Sequence, residues 1–253
     1  MAHGYRTLQH WNHWLHDSFL GRSVLAAEAK LLSRILVNHF GKHALLLGVP
    51  NQFGLLEAGK LPCHTLVSPF LAHERQPGFI EGDFHDVPII TASVDLVVLP
   101  HTLEYMDNPR ILINEACRVV KPEGLIVILG FNPYSMWGVK KIISRKNNVP
   151  WVANFNQPHI VKNWLKIADC QVENHASTLL RPPIASKRAF DRLEFMECVN
   201  NFIPYVGGVY CIVARAKTIP LTPIRMKWKQ QLGSIRISTS YTGNIATHSE
   251  QSK

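Results

Sequence analysis

The sequence lacks any apolar run of the roughly 18 residues that a membrane-spanning helix requires, and its N-terminus has no apolar signal core. It also lacks a C-x-x-C pair, because its five cysteines are scattered along the chain and odd in number. Such cysteines predict reduced thiols of a cytosolic compartment. We therefore expect a cytoplasmic protein without a transmembrane segment, and the sequence makes no prediction about oligomeric state.

Acidic residues are scarce, with 18 Asp and Glu against 27 Lys and Arg, which gives a net charge of +9. The basic excess lies in a predicted loop and in the C-terminal tail, and the rest of the chain is nearly neutral. The ten residues concerned are Lys140, Lys141, Arg145, Lys146, Arg215, Lys217, Arg225, Lys227, Lys229 and Arg236. Such segments can bind nucleic acid, an acidic carrier or an anionic membrane surface, and the alternative is a solvated surface that aids solubility.

The 253 residues, 46% of them hydrophobic, suit one α/β domain with a modest extension. We divide the chain into an aromatic and histidine-rich cap (1–22), a domain (23–218) and a basic, Ser/Thr-rich tail (219–253) that is expected to be partly disordered. His10, His13 and His16 drift around a helix in steps of about 60°, so they do not converge on a metal. No metal site is predicted.

An amphipathic helix is predicted from Ser23 to Phe40. Glu28 falls on its apolar stripe, between Leu25 and Leu32. A carboxylate in that position requires a partner or a ligand. The alternatives are an ion pair with an Arg or Lys, a place at the open edge of the stripe, or a functional role.

The central part of the sequence predicts a strand, a helix and a second strand. The run 94–99 is apolar and β-branched apart from Asp95, and the run 125–129 is apolar without alternation. Between them Asn108 can cap a helix that Pro109 begins, and a turn at 121–124 ends it. Ligands of such parallel sheets bind beyond the carboxyl ends of the strands, which here are 100–105 and 130–134.

The order of short motifs in this region resembles the second half of a class I S-adenosylmethionine (SAM)-dependent methyltransferase domain of the type 11-like kind, in a bacterial subgroup with a degenerate glycine-rich loop. These motifs are Asp83, Val87-Pro88, Ser93-Val94-Asp95-Leu96-Val97, Leu103-Glu104-Tyr105 and Arg118-Val119-Val120-Lys121-Pro122-Glu123-Gly124. The resemblance implies a Rossmann-like three-layer α/β sandwich. Its mostly parallel seven-stranded sheet has the order 3-2-1-4-5-7-6 with an antiparallel last strand.

The resemblance also implies SAM as the cofactor, although the glycine-rich loop departs from the family pattern. Only the first glycine, Gly48, is in place, Leu46 replaces the usual carboxylate, and Pro50 stands near the second glycine position. No Asp or Glu occurs at 61–73, where the family holds the ribose hydroxyls, so Asn51, Gln52, Ser68 or Glu74 would substitute. Residues implied in cofactor binding are Gly48, Asn51, Ser68, Asp83, Phe84, Pro100 and His101, with Asp83 and Phe84 at the adenine.

The methyl acceptor is expected beyond the fourth and fifth strands. His101 and Tyr134 are the predicted catalytic residues, with His101 as the base or as the group that orients the acceptor; a structural loop histidine is the alternative. Predicted acceptor-binding residues are Glu104, Tyr105, Asn132, Tyr134 and Trp137. Alternatively, Glu104 caps the loop or pairs with Arg110 or Arg118.

Together these patterns predict a SAM-dependent methyltransferase that acts on a small-molecule acceptor. One alternative is a catalytically silent domain of the same fold that binds a protein or RNA partner. Another is an RNA methyltransferase that uses the basic segments, for which binding would weaken steeply with salt.

Overall fold

The computed structural model describes residues 2–70, 76–144, 148–184, 187–193 and 206–217. The chain divides into two units, Met1–Thr218 and Ile219–Lys253. The second unit, and with it the predicted tail, lies outside the described residues, as do Glu74, Arg145 and Lys146. No described helix is long and apolar enough to cross a membrane.

Six α-helices and seven β-strands make up the described part of the chain. The helices are α1 Ala2–Asp17, α2 Phe19–Ile35, α3 Pro109–Val119, α4 Met136–Ile143, α5 Pro158–Ile167 and α6 Lys187–Arg192. The strands are β1 His43–Leu47, β2 Cys63–Ser68, β3 Phe79–Glu81, β4 Val94–Pro100, β5 Val120–Phe131, β6 Cys170–Thr178 and β7 Val209–Ala216.

All seven strands form one sheet in the order β3-β2-β1-β4-β5-β7-β6, which confirms the predicted order. The first five strands in that order are parallel, and β7 pairs antiparallel with both β5 and β6. The sheet order reverses between β1 and β4, and ligands of parallel α/β folds bind at this kind of switch point. The fold thus fixes where a site is to be sought.

The apolar runs of the sequence form the middle of the sheet. In β4 the residues from Leu96 to Pro100 are buried, and in β5 all residues from Gly124 to Phe131 are buried. Burial on both faces explains why these strands show no alternation. The predicted turn at 121–124 lies within the bounds of β5 as an irregular stretch that the pairing with β4 skips; Pro122 and Glu123 are exposed, and Glu123 has a positive φ of 65°.

The start of one helix and the cap of another differ from the prediction. Helix α2 begins at Phe19 rather than Ser23, because the Ser18 hydroxyl accepts a hydrogen bond from the Gly21 amide and caps the helix. Helix α3 begins at Pro109 as predicted, but the Asn108 side chain makes no capping hydrogen bond. The start of α3 is therefore favoured by Pro109, whose fixed φ suits the first position of a helix.

Candidate functional site

The loop after β1 is filled by the side chain of Gln52. Its Oε1 accepts a hydrogen bond from the Val49 amide at 3.2 Å, and its Nε2 donates to the Pro100 carbonyl at 3.1 Å. Gln52 is fully buried. The side chain therefore bridges the carboxyl ends of β1 and β4, where the sheet order reverses.

Gly48 is the one glycine that remains of the expected glycine-rich loop. A Cβ at this position would lie 2.8 Å from Gln52 Oε1, 3.0 Å from Leu46 Cδ2 and 3.4 Å from Pro100 Cγ. A side chain at position 48 would therefore push the Gln52 side chain away from its bridging position. Pro50 begins a 3-10 helix, Pro50–Ala58, in place of the family's second glycine turn.

Helix α1 lies over this loop. The Asn51 amide donates to Asn12 Oδ1 at 2.9 Å, and Asn51 Nδ2 donates to the Asn12 carbonyl at 2.8 Å. Close packing continues at Gly4, where a Cβ would lie 2.6 Å from the Tyr105 carbonyl oxygen. Asn51, a predicted cofactor residue, is therefore held by the N-terminal helix in this conformation.

The same helix reaches the predicted adenine position. The Tyr5 hydroxyl donates to Asp83 Oδ1, and the His85 amide donates to the same oxygen at 2.8 Å. Burial opposes ionisation of Asp83, but these hydrogen bonds outweigh it and lower the pKa of the carboxyl to about 2. Asp83 is thus a carboxylate at neutral pH, with its side chain 44% exposed.

A cleft of about 210 Å³ opens beside Asp83, lined by Tyr5, Pro69, Glu81 and Gly82. Sites for small ligands commonly measure roughly 300–1,000 Å³, so the cleft in this conformation accommodates only part of a nucleoside-containing cofactor. Phe84, the second predicted adenine residue, has a fully buried side chain and packs edge-on against Tyr5, so its backbone is the part available to a ligand.

Ser68 ends β2, next to this cleft in the sheet order. Its side chain is fully buried, and its Oγ has no hydrogen-bond partner within the described ranges. Buried hydroxyls are nearly always hydrogen-bonded, so an orphan of this kind marks a place for a water or a ligand group.

His101 is the centre of a buried ionic cluster. Its Nε2 lies 2.5 Å from Glu28 Oε1, and its Nδ1 lies 3.1 Å from Glu104 Oε2, with all three side chains at most 1% exposed. The Trp11 ring covers the imidazole at a centroid distance of 5.1 Å, and the Phe131 ring lies at 4.2 Å. His101 also has a left-handed φ of 58°, a conformation that is uncommon for residues other than glycine.

The two carboxylates determine the charge of the imidazole. Burial lowers the pKa of His101, but the charges of Glu28 and Glu104 outweigh burial and raise it to about 10. Burial also raises the pKa of Glu104, which His101 partly opposes. Both ring nitrogens of His101 face carboxylates and its side chain is fully buried, so this conformation presents no free nitrogen to an acceptor and favours the alternative of a structural loop histidine. The role of His101 as a base stays a prediction.

Glu104 has partners that the sequence did not suggest. Besides His101, its Oε1 accepts a hydrogen bond from the Phe131 amide, whereas Arg118 pairs with Glu115 at 2.7 Å. Of the alternatives for Glu104, the described residues therefore show no pairing with Arg118, and its role in acceptor binding stays a prediction. Glu28 likewise pairs with a histidine instead of an Arg or Lys.

Among the remaining predicted acceptor residues, Tyr134 is exposed, whereas Asn132, Trp137 and Tyr105 are buried. Tyr134 is 65% exposed, in a loop held by Asn132, whose Oδ1 accepts from the Tyr134 amide and whose Nδ2 donates to the Gly207 carbonyl. Trp137 is 1% exposed and stacks on Phe131, so it supports the loop from inside and presents no wall to a ligand. Tyr105 is 6% exposed beneath α1.

Sequence reasoning did not identify the roles of Tyr5, Asn12, Gln52 and Glu28 in this region. Only Glu28 carried a usable signal, namely a carboxylate on an apolar helical stripe. His10, His13 and His16 are exposed on α1, and the described part of the chain contains no cluster of potential metal ligands.

Comparisons with known proteins agree with this architecture. The model of a methyltransferase domain family matches residues 65–128. The uncharacterized protein YafS of Escherichia coli K12 is 32% identical over 199 residues, which cover 75% of this chain and 79% of that protein.

Solved structures share the fold at low sequence identity. A SAM-dependent methyltransferase of Thermotoga maritima has a TM-score of 0.59 at 16% identity, covering 84% of this chain and 97% of that one. The methyltransferase of Haloferax volcanii, solved in complex with the activator Trm112, has a TM-score of 0.57 at 17% identity, covering 82% and 98%. With the predicted sheet order present and a matching family model over its centre, the chain belongs to the class I SAM-dependent methyltransferases, whose cofactor is S-adenosylmethionine.

Proposed function

We propose that this protein transfers the methyl group of SAM to a small-molecule acceptor at the carboxyl edge of the sheet. The observation that supports the proposal is the spatial order of the residues at the carboxyl ends of four neighbouring strands. In the order β3-β2-β1-β4 these are Asp83, Ser68, Gly48 and Pro100. Parallel strands bring their carboxyl ends to one edge, so the four residues follow one another along a single crevice.

The residues at this edge fit the nucleoside end of the cofactor. Asp83 is an ionised, partly exposed acceptor beside a cleft and would accept a hydrogen bond from the adenine amino group. Ser68 carries a buried hydroxyl without a partner among the described residues and would take the place of the family's ribose carboxylate. SAM, when bound, supplies an electrophilic methyl group on a sulfonium.

The methionine end of the cofactor requires a rearrangement of the chain. Gln52 fills the crevice between β1 and β4, and Asn12 holds Asn51. Cofactor entry would therefore exchange the Tyr5 bond to Asp83 and the Asn12 bonds to Asn51 for bonds to the ligand. Helix α1 would act as the lid of the site.

On the acceptor side we assign different roles to the two predicted catalytic residues. Tyr134 is exposed at the loop after β5 and would contact the acceptor. His101 would be a positioning residue, since it ties the loop after β4 to α2 through Glu28 and to β5 through Glu104. Methyl transfer depends mainly on alignment of the acceptor with the methyl group, which a rigid loop favours.

Calorimetric titration of the full chain with SAM and with its demethylated product tests the proposal. We expect binding of both ligands, and we expect Asp83→Asn to weaken it by about tenfold or more, because a hydrogen bond to a charged group contributes roughly 1.5–3 kcal/mol. Asp17→Asn removes a carboxylate that is 71% exposed at the end of α1 and should leave the affinity unchanged. Absence of binding at millimolar ligand would refute the proposal.

The buried position of Gln52 favours one second candidate, a catalytically silent domain that binds a partner protein. The Haloferax methyltransferase was solved with an activator protein, which shows that for that protein the fold accommodates a partner. A folded chain that binds neither SAM nor the demethylated product supports this candidate. Measurable binding of either ligand eliminates it.

A further inference from the structure

Helix α4 is oriented with its charged side chains toward the protein. Lys140 Nζ donates to the Pro183 carbonyl, and Lys141 Nζ donates to the Ala153 carbonyl. Burial lowers the pKa of Lys141, as expected for an ammonium group turned inward. An amphipathic helix on a domain surface normally does the opposite and turns its charges to water.

The opposite face of α4 is apolar and exposed. Met136, Val139, Ile142 and Ile143 have exposures of 50%, 52%, 83% and 73%. At about 100° per residue, these four positions fall within one sector of roughly 120°, so they form a continuous stripe, here called the α4 stripe. Tyr134, 65% exposed, lies just before it.

A contiguous apolar surface of this kind marks an interaction site more often than a lone exposed residue does. Burial of each exposed isoleucine in an apolar phase is favourable, because its side chain leaves water. Inward-facing lysines and an outward-facing stripe together indicate that α4 is built to meet an apolar phase or partner.

The net charge of the residues next to the α4 stripe indicates what kind of surface binds it. The sequence contains no Asp or Glu between Glu123 and Asp169, and it contains four cations in 140–146. Two copies of α4 facing each other would bring these cations together. Residues 219–253 would also be repelled, because Glu250 is their only acidic residue among several basic ones. An anionic surface matches the segment best.

The geometry points to α4 as a membrane-docking element that inserts its apolar stripe into the interface of an anionic lipid bilayer. The helix would lie in the plane of the interface, with the stripe at the boundary of the acyl chains, and the positive net charge of 140–146 would attract the protein toward the anionic headgroups. This is peripheral attachment by an eight-residue helix. It does not depend on methyl transfer.

Flotation of the full chain with lipid vesicles tests this surface. The vesicles contain phosphatidylcholine with about one third phosphatidylglycerol, and pure phosphatidylcholine vesicles serve for comparison. Ile142→Ser should lower the partition onto anionic vesicles about tenfold. The matched control is Ile90→Ser, which changes an isoleucine of nearly equal exposure, 80% against 83%.

Ile90 precedes β4, whereas α4 follows the carboxyl end of the parallel neighbour β5, so the two residues lie at opposite edges of the sheet. The expected result is binding to anionic vesicles that salt weakens, with a loss for Ile142→Ser and none for Ile90→Ser. Three results would overturn the inference: no partition onto anionic vesicles, equal losses for both variants, or a concentration-dependent dimer that Ile142→Ser abolishes.

Discussion

The buried cluster of His101, Glu28 and Glu104 predicts that stability falls steeply as pH rises above neutrality. The imidazole pKa is about 10 in the folded protein and about 6.5 in an unfolded chain. A group whose pKa is raised by folding stabilises the protein fully below its unfolded pKa, and this contribution is lost as pH rises through the folded value. The affected window therefore runs from pH 6.5 to 10.

Linkage gives the magnitude of this effect. Within the window the folded state holds one more proton than the unfolded state, so the free energy of unfolding falls by about 1.4 kcal/mol per pH unit. From pH 7 to pH 9 the loss is about 3 kcal/mol, a substantial share of the 5–15 kcal/mol that is typical of domains. With a urea m-value of about 2–3 kcal/mol/M, the midpoint should shift by about 1 M.

Urea unfolding followed by tryptophan fluorescence at several pH values measures this slope. Glu28→Gln keeps the shape of the side chain but removes one of the two charges that raise the His101 pKa, so its slope should be smaller above pH 7. Its stability at neutral pH should fall by about 3 kcal/mol, because the imidazolium loses a partner. Glu57→Gln, an exposed control, should behave like the wild type. Parallel curves for wild type and Glu28→Gln between pH 6.5 and 9 would refute the reasoning.

Two further predictions concern α1 and α4. Tyr5→Phe removes the hydroxyl that is hydrogen-bonded to Asp83, so SAM should bind about fivefold tighter. This factor is at the low end of the range for a hydrogen bond to a charged group, because the Asp83 side chain is 44% exposed. Weaker or unchanged binding in calorimetry would contradict a role of α1 as a competing lid. Gly138→Ala places a Cβ 1.9 Å from the Pro133 carbonyl oxygen and should cost about 1–3 kcal/mol in urea unfolding. Its control is Gly54→Ala, where no atom lies within 4 Å and little change is expected; equal costs would exclude a specific clash.

The sheet could be predicted from sequence because its signals are local. The apolar runs of β4 and β5, Pro109 at the start of α3 and the motif order all lie within one stretch of the chain. The apolar pattern predicts the start of α2 four residues too late, because it does not reveal Ser18 as the N-cap. The proline and glycine at 121–124 predict a turn, and in the structure the pairing of β5 with β4 skips these residues between Val120 and Leu125, although they lie within the bounds of β5.

The site was less predictable because its partners are distant in sequence. Glu28 and His101 are 73 residues apart, and Tyr5 and Asp83 are 78 apart. The need of Glu28 for a partner followed from its position on an apolar stripe, but the identity of the partner depends on how α2 packs over the end of β4. The sequence offers Gln52 only as a substitute for the ribose carboxylate and does not indicate its bridge to Pro100, since an amide side chain suits a loop as well as a buried bridge.

The attachment of α1 also constrains the order in which the protein can fold. Every polar contact of α1 described above, through Tyr5 and Asn12, reaches residues of the sheet's loops that follow it by 39 positions or more. Helix α1 precedes the sheet in the chain, yet the loops that it contacts come together only after β1, β3 and β4 have taken their places in the sheet. Contacts so distant in sequence form late because loop closure must precede them. Docking of the first helix is therefore expected among the last steps of folding.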